Sequence, residues 1–116
     1  MHSLEQKIST IWETQCKGED VLHTIEEVLG ELETGALRVA EPTEAGWRVN
    51  EWVKKAILLY FRYAPMKEEV AGALAYYDKV PIRSGWAQRG VRVVRPAVVR
   101  HGAYIGKGVV LMPSFV

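Results

Sequence analysis

The sequence predicts an α+β domain that is followed by the beginning of a parallel β-helix. Three patterns predict it: helical spacing of apolar residues in the first 63 residues, a hairpin pattern within that stretch, and a six-residue repeat over residues 93–116. A length of 116 residues suffices for one small domain and the start of a second. We therefore predict an N-terminal α/β domain over residues 1–80, a connector over 81–92, and the first repeats of a truncated β-helix over 93–116.

The first two helices are predicted from apolar stripes and from signals at their ends. Residues 3–6 have the capping-box form, in which Gln6 reaches back to the cap, and Gly18 is expected to end this helix. A second helix is expected over residues 19–33, with Gly35 as its stop. The stripes consist of Leu4, Ile8, Ile11 and Trp12 in the first helix and of Val21, Leu22, Ile25, Val28, Leu29 and Leu32 in the second.

The next stretch is predicted to form a β-hairpin and a third helix. Apolar and polar residues alternate on two arms within residues 36–49, and residues 42–46 supply turn chemistry between the arms. Asn50 is expected to cap a helix over residues 51–63, which is mostly apolar and should be largely buried. Pro65 should end it.

The stretch before the repeats carries weaker signals. We predict a short helix over residues 66–76. Residues 78–90 contain Pro81, Gly85 and Gly90 with little periodicity, and we predict a connector there.

Residues 93–116 can be written as four blocks of six. In a parallel β-helix each block forms one flat side of a triangular coil, with an aliphatic first position inside and a small or turn-prone residue near the corner. A pair of ordinary strands with glycine turns is the alternative. The first positions are Val93, Val99, Ile105 and Leu111, the fourth are Pro96, Gly102, Gly108 and Ser114, and the fifth are Ala97, Ala103, Val109 and Phe115.

Composition and charge limit the function classes. Hydrophobic residues make up 48% and charged residues 25%, which is typical of a folded globular protein, and no apolar run approaches the roughly 18 residues of a membrane span. The start of the chain lacks signal-peptide features and Cys16 has no partner for an internal disulfide, so we expect a cytoplasmic protein.

The charges are distributed unevenly along the chain. Residues 79–116 hold seven Lys or Arg and no acidic residue, whereas all 14 acidic residues lie before them. Such a segment fits an anionic ligand or acidic sequence elsewhere in the protein, and fits nucleic acid less well.

Several stretches from residue 35 onward form an ordered set of motifs. They read GALRVAE at 35–41, Trp52 with KKAILL at 54–59 and FR at 61–62, YDKVP at 77–81, RVV at 92–94 with Pro96, VR at 99–100 with GA at 102–103, and LMPS at 111–114. In this order they resemble the tetrahydrodipicolinate N-succinyltransferase family. Residues 1–34 match it only in being helical, and the connector between Pro81 and Gly90 looks shorter than in the family.

The resemblance implies a homotrimer in which each subunit has an N-terminal α/β domain, a left-handed parallel β-helix and a small C-terminal segment. It implies transfer of a succinyl group from succinyl-CoA to the amino group of ring-opened tetrahydrodipicolinate, in the diaminopimelate route to lysine. Succinyl-CoA would be a co-substrate and no cofactor would be bound permanently. Neither a membrane nor nucleic acid is an expected partner.

The resemblance also identifies one site residue. In the family, the arginine of the RVV motif contacts a carboxylate of the acceptor substrate, and that residue here is Arg92. A guanidinium can hold a carboxylate through two parallel hydrogen bonds. The family's catalytic carboxylate comes from a later coil, and no acidic residue follows Asp78. We therefore expect no catalytic residue, no metal site and no activity in these 116 residues alone.

Three other functions remain open at this stage. The chain fits another hexapeptide acyl-CoA transferase, a non-catalytic trimerisation module, or, less well, a nucleic-acid-binding module.

Other residues that could carry chemistry are predicted to be structural. We expect Cys16 to be a small buried residue on the first helix. His2, His23 and His101 lack metal-ligand spacing, and residues 106–108 lack the helix that follows a phosphate loop.

Overall fold

The computed structural model describes residues 3–116, which form two compact units that divide between Ala64 and Pro65. Helices and antiparallel strand pairs occur together, so the predicted α+β class is confirmed. The first unit contains α1 (Ser3–Thr14), α2 (Glu19–Thr34), β1 (Ala40–Thr43), β2 (Gly46–Val49) and α3 (Glu51–Tyr63). The second contains β3 (Lys67–Ala71), β4 (Leu74–Asp78), α4 (Trp86–Arg89), β5 (Arg92–Val93) and β6 (Val110–Leu111).

Three helices that contact one another form the core of the first unit. Burying a large aliphatic side chain stabilises a fold by roughly 1.5–3 kcal/mol, so these side chains are the main source of its stability. The predicted stop of α2 is confirmed, because Gly35 has a φ of 83° and its N–H donates to the Leu32 carbonyl at 3.2 Å. The largest fully buried side chains are Ile8, Ile25, Val28, Val53 and Leu59.

The predicted end of α1 at Gly18 is wrong, because the helix ends at Thr14. The hydroxyl of Thr14 donates to the Thr10 carbonyl at 2.7 Å, and Gln15 has a φ of 51°, which breaks the helical backbone. Gly18 instead precedes α2 as its N-cap, with its carbonyl accepting the Val21 N–H at 3.2 Å.

The first hairpin is confirmed, but its first strand lies further along the chain than predicted. β1 pairs antiparallel with β2, and Pro42, expected in the turn, lies opposite Trp47 within the strands. Proline is tolerated there because this is an edge strand, where its missing N–H breaks no hydrogen-bonded ladder. The loop shrinks to the two residues before Gly46, whose φ is 110°.

Asn50 occupies the N-cap position of α3, but its side chain makes no capping hydrogen bond. Its amide instead donates to the Arg38 carbonyl at 2.7 Å and to Glu41 Oε1 at 3.4 Å. Arg48 also donates to that carboxylate. The Arg48 hydrogen bond, followed by the Asn50 one, lowers the pKa of the Glu41 carboxyl below its usual value. Asn50 therefore ties the hairpin to the start of α3.

The predicted helix over residues 66–76 is wrong, because this stretch forms most of an antiparallel hairpin. β3 pairs with β4 around a turn that begins at Gly72, where φ is 65°. Oppositely charged Lys67 and Asp78 lie directly across from each other, which favours strand pairing. Apolar residues at helical spacing were too few here to outweigh the turn and the cross-strand pairs.

Residues 78–90, predicted as a connector, contain short pieces of regular structure. Ile82 forms an antiparallel bridge with Arg100, and the Arg83 N–H donates to the Val99 carbonyl at 2.8 Å. The one-turn helix α4 follows, between Gly85 and Gly90, whose φ values are 80° and 70°. This segment thus covers one backbone edge of the repeat residues.

The chain turns at regular intervals along the repeat residues 93–116 (the repeat segment). Turns occur at residues 95–96, 101–102 and 107–108, one in each of the first three blocks. β5 pairs in parallel with β6, so that Val93 lies beside Leu111, eighteen residues further along the chain. Val98 forms a second parallel bridge, with Phe115. Among the first positions of the blocks, Val99 is buried and the other three are half-buried.

We predict that Leu59→Ala lowers the free energy of unfolding by about 2–5 kcal/mol, because it leaves a cavity at a side chain that is only 1% exposed. Leu58→Ala is the matched control. That side chain is 47% exposed, and its removal should cost less than about 1 kcal/mol. Urea unfolding followed by far-UV circular dichroism measures both values. Equal losses would contradict the packing described for α3.

We predict opposite effects for two Gly→Ala substitutions. At Gly90 the φ of 70° disfavours a side chain, and an added Cβ would lie 3.1 Å from Lys107 Cγ, so Gly90→Ala should destabilise by about 1–2 kcal/mol. At Gly30, inside α2, nothing lies within 4 Å, so Gly30→Ala should stabilise by about 0.5–1 kcal/mol. Thermal unfolding of both variants tests this. A shift of the same sign in both would refute it.

Candidate functional site

Arg92, the one site residue identified in the sequence, is the first residue of β5. Its neighbour Val91 is buried, Val93 is half-buried, and Arg92 is exposed. Since side chains alternate along an extended chain, Arg92 projects away from the side on which those valines pack. Its own N–H donates to the Val109 carbonyl at 3.0 Å, so a hydrogen-bonded backbone holds the base of the side chain.

The guanidinium of Arg92 is available to a ligand. Among residues 3–116 it forms no hydrogen bond or ion pair with another side chain. A planar guanidinium in this setting can accept a carboxylate in bidentate geometry. The role of Arg92 as a substrate contact stays a prediction.

Two arginines, Arg83 and Arg89, lie near the ring of Trp86, and the sequence analysis missed this cluster. The guanidinium carbon of Arg83 lies 4.7 Å from the centroid of the Trp86 ring, and that of Arg89 lies 6.0 Å from it. The Trp86 indole N–H donates to the Arg83 carbonyl at 3.3 Å, and the Arg83 guanidinium donates to the Ala103 carbonyl. The sequence signal that could have indicated it is that Arg83, Trp86 and Arg89 follow one another at intervals of three residues.

Arg100 makes a similar contact within the repeat segment. Its guanidinium carbon lies 4.4 Å from the centroid of the Phe115 ring, and its backbone N–H donates to the Val116 carbonyl at 2.9 Å. Its Nε atom is buried and has no hydrogen-bond partner among the described residues. Arg100 thus packs as part of the segment rather than projecting from it.

The structure corrects the expectation for Cys16 and places the histidines. Cys16 is exposed, because α1 ends two residues before it. His23 pairs with Glu27 on α2 at 3.1 Å, and the His101 backbone N–H donates to the Pro81 carbonyl at 2.9 Å. His2 lies outside the described residues. Within residues 3–116, no three His, Cys, Asp or Glu side chains come together in a way that could hold a metal ion.

In the part of the chain that the structure describes, none of the helices combines the length and apolar character needed to span a bilayer.

Comparison with known proteins assigns the first unit. A family model described as "Tetrahydrodipicolinate N-succinyltransferase N-terminal" matches residues 3–63, which covers α1 through α3. That range ends one residue before the boundary between the two compact units. The matched segment is thus a structural unit with its own core.

Three curated relatives carry the name 2,3,4,5-tetrahydropyridine-2,6-dicarboxylate N-succinyltransferase. The protein of Variovorax paradoxus is 41% identical over 97% of this chain and 46% of its own length. That of Acinetobacter baylyi is 48% identical over 84% of this chain and 38% of its own length. That of Legionella pneumophila is 41% identical over all of this chain and 46% of its own length.

The chain therefore spans less than half the length of the curated relatives it matches. The match to the Legionella protein extends over 128 residues although this chain has 116, so the two sequences differ by insertions or deletions. Because the family model covers more than half of the chain, and the relatives extend the similarity through the repeat segment, this chain belongs to the tetrahydrodipicolinate N-succinyltransferase family.

Proposed function

We propose that this chain is the N-terminal part of an enzyme that transfers a succinyl group from succinyl-CoA to the amino group of ring-opened tetrahydrodipicolinate. This reaction belongs to the diaminopimelate route to lysine. The observation that carries the proposal is the family match over residues 3–63, with relatives of that name aligned through the rest of the chain. Their shared name favours succinyl transfer over another acyl-CoA reaction or a purely structural role.

The repeat segment is, in this proposal, the first coil of a left-handed parallel β-helix. Its parallel pairing joins residues eighteen positions apart, which equals three blocks of six, and a turn separates successive blocks. These features support a triangular coil. The left hand follows from the resemblance to the family. Residues 1–80 would then be the N-terminal domain and 81–92 the connector.

Arg92 is proposed to hold one carboxylate of the acceptor. With the acceptor fixed, its amine lone pair attacks the thioester carbonyl of succinyl-CoA, the new C–N bond forms, and the C–S bond breaks to release the thiol of CoA. The amine must also lose a proton to a base. The guanidinium contributes orientation and charge, and it is suited to both because it is planar and carries a delocalised positive charge.

The catalytic carboxylate that the family uses as its base lies outside residues 79–116, since these contain no Asp or Glu. We place the base and the CoA-binding surface in the part of the relatives' length that this chain does not span. The 116 residues alone should then be inactive. The assembly proposed is a cytoplasmic homotrimer that carries no resident cofactor or metal.

We predict that Arg92→Ala, made in the protein that continues through the remaining coils, raises KM for the acceptor. Removing a hydrogen bond to a charged group costs about 1.5–3 kcal/mol, which corresponds to a rise of about 10- to 100-fold. KM for succinyl-CoA should change little. Steady-state assays of CoA release, with each substrate varied in turn, separate the two constants.

Arg89→Ala is the matched control for this experiment, because it removes an exposed arginine three residues away. It should leave both constants within about twofold of the wild type. An unchanged KM for the acceptor in Arg92→Ala would remove Arg92 from the site. An absence of succinyl transfer by the unsubstituted longer protein would overturn the proposed function itself.

A further inference from the structure

The second unit contains a cleft of about 320 Å³ between the β3–β4 hairpin, the segment around α4, and the repeat segment. Its walls are mostly apolar and include two aromatic rings, Tyr76 and Trp86. Two arginines, Arg83 and Arg95, also line it. This volume lies at the lower end of the range for small-molecule pockets, roughly 300–1,000 Å³, and suits a ligand of one or two rings.

The Arg83 side chain is held in position before any ligand arrives. It donates to the Ala103 carbonyl, and its guanidinium carbon lies 4.7 Å from the Trp86 ring centroid. Trp86 is itself anchored, since its indole N–H donates to the Arg83 carbonyl at 3.3 Å. A cation and an aromatic surface fixed side by side lose little conformational entropy on binding.

The charge of Arg95 is not balanced by the described residues that line this cleft. No acidic residue is among the described residues that line it, and the nearby carboxylate of Glu69 accepts the backbone N–H of Ile82 at 3.1 Å. Arg95 is exposed and makes no hydrogen bond or ion pair with a side chain of residues 3–116. Clefts lined by one sign of charge concentrate ligands of the opposite sign.

We propose that this cleft binds a planar ring that carries an oxyanion, either a carboxylate or a phosphate. The ring packs against Trp86 and Tyr76, and the oxyanion accepts hydrogen bonds from Arg95. The site is separate from the proposed acceptor site, because Arg92 does not line the cleft. Ligand binding here therefore does not depend on succinyl transfer.

The test is a titration of the ¹⁵N-labelled 116-residue chain with 2-naphthoate, 2-naphthyl phosphate and 2-naphthol, followed at the indole N–H of Trp86. The variant Trp86→Phe assigns that resonance. We expect at least one of the two anions to shift it saturably, and the uncharged naphthol to bind at least 10-fold more weakly. The anion that binds more tightly identifies whether the natural group is a carboxylate or a phosphate.

Arg95→Gln should weaken binding of that anion by at least 10-fold, because it removes the charged hydrogen-bond donor. Arg62→Gln is the matched control. It removes the same charge from an exposed residue of α3, outside the cleft, and should change the affinity less than twofold. If Arg95→Gln disturbs the spectrum of the free chain, Arg95→Lys replaces it. Lysine keeps the charge but lacks the forked guanidinium, so this variant should have an intermediate affinity.

Three results would overturn the proposal: no shift of Trp86 with either anion, equal affinity for the naphthol, or equal loss in Arg62→Gln and Arg95→Gln. None of these readouts measures enzyme activity. Their failure is thus distinguishable from failure of the proposed succinyl transfer.

Discussion

The second unit depends on the parallel hydrogen bonding between the start and the end of the repeat segment. The N–H of Arg92 donates to the Val109 carbonyl at 3.0 Å, and that of Val94 donates to the Leu111 carbonyl at 2.9 Å. Each such bond contributes only about 0.5–1.5 kcal/mol, and strands of two residues are too short to persist alone. The pairing is therefore stable only together with the buried valines of this unit and with the residues that cover one edge of the repeat segment. It also determines where Arg92 projects.

The residues around α4 cover one backbone edge of the repeat segment. Residues 81–83 pair with residues 99–101, and the Gly90 carbonyl accepts the Gly108 N–H at 2.8 Å. An uncovered strand edge invites pairing with other chains, so the cover protects the segment on this side. The same cover forms one wall of the cleft beside Trp86. Edge protection and the proposed ligand site thus share the same short stretch.

Sequence reasoning succeeded where periodicity was strong and local. The bounds of α3 and the stop of α2 at Gly35 followed from apolar spacing and from glycine's tolerance of positive φ. It failed where tertiary pairing decided the outcome. Pro42 lies in a strand because that strand is an edge. The Asn50 side chain does not cap α3 because it donates to the Arg38 carbonyl and to Glu41 instead.

The candidate sites show the same division. Arg92 was found through a family motif, since its residue type alone distinguishes it little from the other arginines of residues 79–116. The cluster of Arg83 with Trp86 and the cleft it lines required the fold, because Arg95 and Tyr76 reach that cleft from distant parts of the chain. Spacing along the sequence carried no sign of that approach.

A nuclear Overhauser experiment on the repeat segment tests the central claim most directly. The account predicts backbone cross-peaks between Val93 and Leu111 and between Val98 and Phe115, since those pairs lie side by side in parallel. An ordinary antiparallel pairing of neighbouring blocks would instead connect Val93 to residues near 99–105. Observing those contacts in place of the parallel ones would contradict the coil and the placement of Arg92 that rests on it.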